Sequence, residues 1–162
     1  MDKNKASYKL KGLPPIFYLN LDEQPERKEC IENQFEYWGI ENYTRISAYD
    51  GRDGRDLGDI LKGRYPDSMS SSEVGCTTSH LKAVTEFLKT DSPCALIMED
   101  DCDISTVSHW RFTWKDFYAK VPYDYDVIQL AIINPASVYL KMHRRFVNDF
   151  STACYMITRR HA

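Results

Sequence analysis

The sequence predicts an α/β fold, with a mainly parallel sheet and helices on both of its faces. Short apolar runs alternate with longer segments of helical periodicity between Ile16 and Ile157. This alternation favours parallel βαβ units, because strands that run in the same direction need a long crossover connection, usually a helix. The chain has 162 residues, of which 43% are hydrophobic, so it is long enough for one domain with a substantial core.

The first predicted unit is a strand, a helix and a second strand. Residues 16–19 are apolar and follow two prolines, which is typical of a short buried strand. Pro25 suits the first turn of a helix, and Gly39 suits its end. The apolar positions between them recur at helical spacing: Ile31, Phe35 and Trp38. Residues 43–48 then predict the second strand.

The flanking segments lack such patterns. We expect residues 1–12 to be a polar lead-in and residues 13–162 to form a single domain. Residues 50–67 are rich in Asp, Gly and Arg, so they predict a long loop with one short helical turn near Leu57.

A long helix is predicted from about Ser70 to Lys89, because Ser70 and Glu73 have the spacing of a capping box. One of its faces comprises Val74, Thr77, Leu81, Val84 and Leu88, and the neighbouring face comprises Glu73, Cys76, His80, Ala83 and Phe87. Both faces are expected to be at least partly buried against the sheet. His80 is either a hydrogen-bonded core residue, which is the usual case, or a site residue near the acidic segment that follows.

The most informative segment is an apolar run that ends in carboxylates. Residues 94–98 predict a buried strand, and the acidic side chains that follow are Glu99, Asp100, Asp101 and Asp103. Neighbouring carboxylates repel each other, so they need a cation or a solvated surface. Ligands bind at the carboxyl ends of strands in open α/β sheets, where Glu99 and Asp101 can hold a divalent metal through oxygen atoms. The alternative is a solvated acidic turn.

The remaining segments continue the alternation. An apolar stripe predicts a further helix that ends at Pro122: Trp110, Trp114, Phe117, Tyr118 and Val121. The other predicted elements are strands at residues 126–131 and 151–158, a basic surface loop at 141–145 and the start of a helix at 159–162. Asp124 and Asp126 precede their strand, so we expect them at the wrong end of a parallel sheet for a binding site.

Bulk properties exclude several classes of function. The net charge of −3 gives no support for nucleic acid as a partner. No apolar stretch is long enough to span a bilayer, and the polar start has no signal core, so the expected location is the cytoplasm. The five cysteines form no C-x-x-C pair, which argues against a disulfide framework or a zinc ribbon.

Four segments carry a resemblance to a known family: residues 16–22 with Arg27, residues 45–51, residues 72–81 and residues 95–101. The third is similar to a G-E-I-G-C-x-x-S-H-L segment, with Ser72 in place of the first glycine. The fourth is similar to an acidic metal motif. In this order the segments resemble glycosyltransferase family 25, which includes bacterial lipopolysaccharide glycosyltransferases and procollagen galactosyltransferases.

The resemblance implies a GT-A-like, Rossmann-like fold that binds a nucleotide sugar. It implies transfer of a hexose, galactose or glucose, from a UDP-sugar to a hydroxyl of a glycan, lipopolysaccharide or protein acceptor, with Mn²⁺ or Mg²⁺ as the metal. The metal would neutralise the charge that develops on the departing nucleoside diphosphate. The expected metal ligands are Glu99 and Asp101. The expected nucleotide-sugar contacts are Asn20, Asp22, Arg27, Asp50, Glu73, Ser79, His80 and Asp100.

One departure from the family keeps a second hypothesis open. Family domains continue well beyond the length of this chain, so we expect it to lack the C-terminal part of the domain, and no catalytic residue can be named. A truncated sheet would expose apolar surface, which makes a homo-oligomer one alternative. The second hypothesis is a non-catalytic relative that binds a nucleotide or a protein. Metal-dependent phosphoryl transfer is disfavoured because the sequence has no P-loop.

Overall fold

The computed structural model describes residues 3–54, 68–133, 142–146 and 149–162. The elements in chain order are a 3₁₀ helix Lys3–Leu10, β1 Ile16–Asn20, α1 Pro25–Trp38, β2 Tyr43–Ser47, α2 Ser71–Leu88, β3 Cys94–Glu99, a 3₁₀ helix Ser105–His109, α3 Trp114–Tyr118, β4 Val127–Gln129 and β5 Cys154–Thr158. The helical turn predicted near Leu57 and the first residue of the predicted basic loop, Lys141, lie outside the described residues.

The described strands form one sheet in the order β2-β1-β3-β5-β4. β1 pairs in parallel with both β2 and β3, whereas β5 is antiparallel to both β3 and β4. Four strands therefore run in one direction, which confirms the mainly parallel sheet. The reversal of β5 was not predicted. It fits the sequence between β4 and β5, which has no helical pattern, because antiparallel neighbours need no crossover helix.

Helices cover both faces of the sheet, as predicted. Side chains alternate along a strand, so Tyr18 of β1 packs on the α1 side while its neighbour Phe17 packs on the α2 side. The buried residues on the α1 side include Ile16, Tyr18, Ile31, Phe35, Leu96, Met98 and Met156. Those on the α2 side are Phe17, Leu19, Ile46, Ala83, Phe87, Ala95, Ile97 and Ile157. Burial of these side chains on both faces stabilises the sheet.

The long helix α2 begins with the predicted capping box. The Ser70 hydroxyl accepts from the Glu73 backbone N–H, and the Glu73 carboxylate accepts from the Ser70 backbone N–H. Its buried face carries Ala83 and Phe87. The other predicted face is partly buried, as expected: Val74, Thr77 and Val84 are half-buried, whereas Leu81 and Leu88 are exposed.

Two predicted segments differ from the structure. Part of the N-terminal lead-in is a 3₁₀ helix in which Ala6 and Leu10 are buried with Trp38 and Val107. The predicted helix at Trp110 starts later, at Trp114, because Thr113 forms a capping box with Asp116. Trp110 instead follows the second 3₁₀ helix and stacks on Phe112.

The carboxyl ends of β1, β2 and β3 lie side by side at one edge of the sheet. Asn20 pairs with Ser47, Leu19 pairs with Glu99, and the Glu99 backbone N–H donates to the Ala153 carbonyl just before β5. Asp126 lies at the opposite ends of these strands. Its carbonyl accepts from Thr158, the β5 residue that pairs with Cys94, the first residue of β3. This confirms the expected distance of Asp126 from the candidate site.

Candidate functional site

A hollow of about 310 Å³ lies at the carboxyl ends of β1 and β3. Its wall includes six of the residues that the sequence indicated for binding: Asn20, Arg27, Asp50, Ser79, Glu99 and Asp100. These residues come from three strand ends and two helices. Their convergence follows from the parallel βαβ order, which brings successive strand ends to the same edge.

Asn20, the last residue of β1, is buried and links three elements. Its amide nitrogen donates to Asp100 Oδ2 at 2.7 Å and to the Gln24 carbonyl at 3.0 Å. Its amide oxygen accepts from Arg45 Nε at 2.9 Å. Asn20 therefore fixes the acidic turn after β3 against the start of α1 and the middle of β2.

Arg27 lies between the two aspartates of the acidic turn. Its guanidinium forms an ion pair with Asp100 Oδ1 and lies 3.2 Å from Asp101 Oδ2. The Asp100 side chain is only 8% exposed, whereas that of Asp101 is 59% exposed. An arginine on α1 therefore supplies at least part of the positive charge that the carboxylates after β3 require.

A second cluster of charge is held by the strand ends of β1 and β2. Asp22 accepts from Arg45 Nη2 at 2.5 Å and from the Ser47 hydroxyl at 2.7 Å. The hydrogen bonds from Ser47 and Arg45 lower the pKa of the Asp22 carboxyl. Asp22 is exposed and lies outside the wall of the hollow.

Asp50 is engaged by a neighbouring arginine. Arg52 donates from Nε and Nη2 to the two Asp50 oxygens, each at 2.8 Å, and from its backbone N–H at 2.9 Å. These hydrogen bonds lower the pKa of Asp50 to about 2. Both residues line the hollow, so this wall presents a guanidinium group as well as a carboxylate.

The first part of α2 fits closely against the segment after β2. A Cβ added at Gly75 would lie 2.5 Å from the Gly51 backbone nitrogen and 2.7 Å from the Tyr49 carbonyl oxygen. Ser79 Oγ accepts from the Tyr49 backbone N–H at 2.8 Å and donates to the Gly75 carbonyl at 2.7 Å. Gly75 and Ser79 thus position the Asp50 wall of the hollow. Glu73 is held in the helix cap by Ser70.

His80 lies beside the acidic segment, as expected if it is a site residue. Its Nδ1 is 3.1 Å from the Tyr155 hydroxyl, and its Nε2 is 3.5 Å from Glu99 Oε1. Burial opposes protonation, but the Cys76 thiol and the Glu99 carboxylate outweigh it and raise the pKa of His80 to about 9. In turn His80, with help from the Thr152 hydroxyl, lowers the pKa of Glu99 against the effect of burial.

The expected metal ligands Glu99 and Asp101 line different hollows. Glu99 faces the hollow at the strand ends, whereas Asp101 lines a larger, mainly apolar hollow of about 700 Å³ beside Trp110 and Trp114. Glu99 instead lies beside Cys76 and His80. The potential ligand atoms of these three side chains are all within 4.8 Å of one another. This trio is the only such group of three among the residues that the structure describes.

Several residues around the site were not singled out from the sequence. Arg45 and Ser47 hold Asp22, Thr152 donates to Glu99 Oε1 at 2.7 Å, and Tyr155 contacts His80. Their partners lie far away in the sequence, so the resemblance in residues 45–51 marks the segment of Arg45 and Ser47 but not the contacts that they make. Cys76 did have a signal, because it lies four residues before His80 on the same helix face.

A family model for "Glycosyltransferase family 25 (LPS biosynthesis protein)" matches residues 13–162. The chain belongs to glycosyltransferase family 25. Membership in family 25 agrees with the α/β sheet and with the grouping of motif residues at its carboxyl edge. Within the described part of this family 25 chain, no helix is long and apolar enough to cross a membrane.

Relatives described as "Glycosyltransferase 25 family member" occur in insects. The protein from Drosophila pseudoobscura pseudoobscura is 30% identical over 99 aligned positions, in a match that covers 55% of this chain and 16% of the relative. The protein from Drosophila melanogaster is 31% identical over 111 aligned positions, in a match that covers 62% of this chain and 18% of the relative. The matched segment thus spans less than a fifth of the length of either family 25 relative.

Proposed function

We propose that this family 25 chain binds a UDP-hexose and takes part in transfer of its galactose or glucose to a hydroxyl of a glycan, lipopolysaccharide or protein acceptor. The observation that carries the proposal is the hollow at the carboxyl ends of β1 and β3, which combines two guanidinium groups with carboxylates. This is the position at which α/β sheets bind nucleotides.

The two arginines suit a diphosphate. Arg27 and Arg52 line the hollow, and their side chains are 44% and 67% exposed, so both guanidinium groups are accessible to a ligand. Guanidinium groups bind phosphate oxygens through two parallel hydrogen bonds. On binding, each arginine would share its donors between the phosphates and the carboxylate it now contacts.

A divalent metal such as Mn²⁺ or Mg²⁺ is proposed to be held by Glu99 and Asp101. Their oxygen donors fit these hard cations, and the exposed Asp101 side chain is accessible to a metal. Arg27 competes with a metal for Asp101, because it already lies 3.2 Å from Asp101 Oδ2. When bound, the metal would neutralise charge on the departing diphosphate.

The remaining expected binding residues are proposed to act in two ways. Asp50 and Asp100 line the hollow and are proposed to face the nucleotide sugar. Asn20, Ser79 and His80 are buried and hold the walls by hydrogen bonds, so we propose that they position the site. The exposed Asp22 and Glu73 are proposed contacts at its margin. The cytoplasmic location and a homo-oligomer stay predictions.

Isothermal titration calorimetry with a panel of nucleotide sugars tests the proposal. UDP-galactose and UDP-glucose, each with Mn²⁺, are expected to bind, whereas GDP-mannose serves as the base-specific control. The nucleotide sugar that binds best is then incubated with the chain, and slow hydrolysis of that nucleotide sugar is followed by the release of UDP. Failure of every UDP-sugar to bind would contradict the proposal for this chain.

A non-catalytic nucleotide-binding role is the second candidate. It is favoured by the contacts of Arg27, because an arginine between Asp100 and Asp101 neutralises the acidic turn without a metal. This role predicts UDP-sugar binding that does not depend on Mn²⁺ and no release of UDP. The same calorimetry and hydrolysis measurements therefore separate the two candidates.

A further inference from the structure

Three side chains of different chemistry meet beneath one wall of the hollow. Cys76 and His80 are four residues apart on α2 and so project from the same helix face, and Glu99 ends the neighbouring strand β3. Their potential ligand atoms all lie within 4.8 Å of one another. A helix and a strand that pack together in the core hold this trio.

The His80 ring is oriented, but its Nε2 makes no hydrogen bond of normal length; the Glu99 carboxylate lies beyond that range, in an ion pair at 3.5 Å. His80 is only 8% exposed, and Nε2 is buried with no hydrogen-bond partner among the described residues. The other nitrogen, Nδ1, lies 3.1 Å from the Tyr155 hydroxyl, which fixes the direction in which Nε2 points. A buried nitrogen held only by this long ion pair leaves room for a closer ligand, and a metal bound there would take the place of the proton.

The spacing around Nε2 fits a metal better than a hydrogen bond. Glu99 Oε1 lies 3.5 Å from Nε2, which is long for an N–H···O bond. Two nitrogen and oxygen ligands bound tetrahedrally at about 2.0–2.1 Å are separated by about 3.3 Å. The Cys76 side chain is exposed and can rotate, so the sulfur can close the remaining gap of up to roughly 1 Å to its own bonding distance.

We propose that Cys76, His80 and Glu99 form a site for a divalent transition metal of the zinc class. A thiolate and an imidazole select zinc or cobalt over Mn²⁺ and Mg²⁺, which prefer ligands that are all oxygen. The second ring nitrogen of a metal-binding histidine is commonly held by a hydrogen bond. The Tyr155 hydroxyl, 3.1 Å from His80 Nδ1, is the partner for that bond here. Three protein ligands leave the fourth position open.

The trio borders the hollow. Cys76 and Glu99 both line its wall, so a zinc ion on the trio would be in reach of a ligand bound there. Zinc binding at this trio does not depend on the proposed sugar transfer. Glu99 is shared with the proposed Mn²⁺ site, but Cys76 belongs to the zinc site alone and Asp101 to the Mn²⁺ site alone, so single variants tell them apart.

The test uses the full 162-residue chain, reduced and freed of metal. Zn²⁺ alone is titrated by calorimetry, and Co²⁺ is titrated by visible and near-ultraviolet absorption. One equivalent of Zn²⁺ is expected to bind, and Co²⁺ is expected to give tetrahedral d–d bands with a thiolate-to-metal charge-transfer band. Cys76→Ser is expected to remove the charge-transfer band and to weaken Zn²⁺ binding by at least about tenfold.

Two cysteine variants serve as matched controls. Cys30 is exposed on α1. Cys102 lies beside Cys154, and this pair of cysteines offers the alternative thiol ligands for a metal. Cys30→Ser and Cys102→Ser are expected to keep both the Zn²⁺ affinity and the Co²⁺ spectrum. An equal loss in Cys102→Ser, or no stoichiometric Zn²⁺ binding by the unmodified chain, would overturn the proposal. Glu99→Gln supplies an independent check, since it removes a ligand without touching a thiol.

Discussion

Arg27 of α1 forms an ion pair with Asp100, a buried carboxylate that also accepts a hydrogen bond from Asn20. The pair joins the first helix of the fold to the turn that follows β3, across the carboxyl edge of the sheet. The Arg27 side chain is 44% exposed, so water screens the pair from one side only. Removing the arginine would leave Asp100 with the amide of Asn20 as its described polar partner.

Arg27→Gln is therefore expected to lower the free energy of unfolding by about 1–2 kcal/mol, less than for a fully buried pair. Urea denaturation followed by circular dichroism measures the change. The double variant Arg27→Gln/Asp100→Asn should recover much of the loss, because the buried charge is then gone. Arg111→Gln, on the exposed surface, is the control and should stay within about 0.5 kcal/mol of the unmodified chain. A single variant as stable as the control would contradict the ion pair.

Asp101→Asn tests the proposed Mn²⁺ site. The change keeps the size of the side chain and removes its charge, so Mn²⁺-supported UDP-sugar binding is expected to weaken at least about tenfold, or roughly 1.4 kcal/mol. Calorimetry with and without Mn²⁺ measures it. Asp124→Asn is the matched control, since Asp124 is exposed and precedes β4 at the opposite edge. Equal Mn²⁺-dependent affinity in the two variants would remove Asp101 from the metal site.

The capping box of α2 predicts a stability effect at Ser70. Ser70→Ala removes the oxygen that accepts from the Glu73 backbone, which is expected to cost about 1 kcal/mol. Chemical denaturation of the full chain measures it. Thr85→Ala, on the exposed side of the same helix, is the control and should change stability little. A cost no larger than that of the control would contradict the cap.

The same cap predicts a dependence on pH. Hydrogen bonds from the backbone and side chain of Ser70 lower the pKa of Glu73 in the folded chain. The contribution of Glu73 is therefore fully present above its unfolded pKa and is lost as pH falls through the lower folded value. The ordinary pKa of a glutamate is about 4.3. Denaturation at several pH values from roughly 3 to 6 should therefore show this loss of stability in the unmodified chain. Glu73→Gln should flatten that part of the profile.

Gly75→Ala probes the close contact between α2 and the segment after β2. The new methyl group would meet backbone atoms of Gly51 and Tyr49, which cannot move as freely as a side chain. We expect a loss of about 1–3 kcal/mol in stability and weaker UDP-sugar binding, because the Asp50 wall must shift. Denaturation and calorimetry measure the two effects. A fully stable variant that binds normally would show that this contact does not shape the hollow.

Local patterns predicted the elements of the first βαβ unit, α2 and β3 because each of these has a strong signal of its own. Pro25 and Gly39 mark the ends of α1, and the Ser70–Glu73 box marks the start of α2. The direction of β5 has no such signal, since side-chain alternation is the same in parallel and antiparallel strands. Trp110 fits a helical stripe, yet the stronger cap at Thr113 determines where α3 begins.

The N-terminal 3₁₀ helix could not be predicted from its own polar sequence. Its Lys9 is almost fully buried, and the ammonium donates to the carbonyls of Val107 and Ser108 at 3.2 and 3.0 Å. These partners lie about a hundred residues away, and only the tertiary fold brings them together. The same limit applies to the site: the acidic run was evident, but its contacts with Arg27 of α1 and with Thr152 just before β5, and the contact of His80 with Tyr155, depend on the tertiary fold.

The place of β5 in the sheet also determines the order in which the chain can assemble. β4 ends at Gln129 and β5 begins at Cys154, yet β5 lies between β3 and β4. During synthesis β1, β2 and β3 can pair as soon as they emerge, whereas β4 has to wait for the later strand that joins it to them. Until then β3 presents an unpaired edge rich in apolar side chains, which is the kind of surface through which nascent chains associate wrongly.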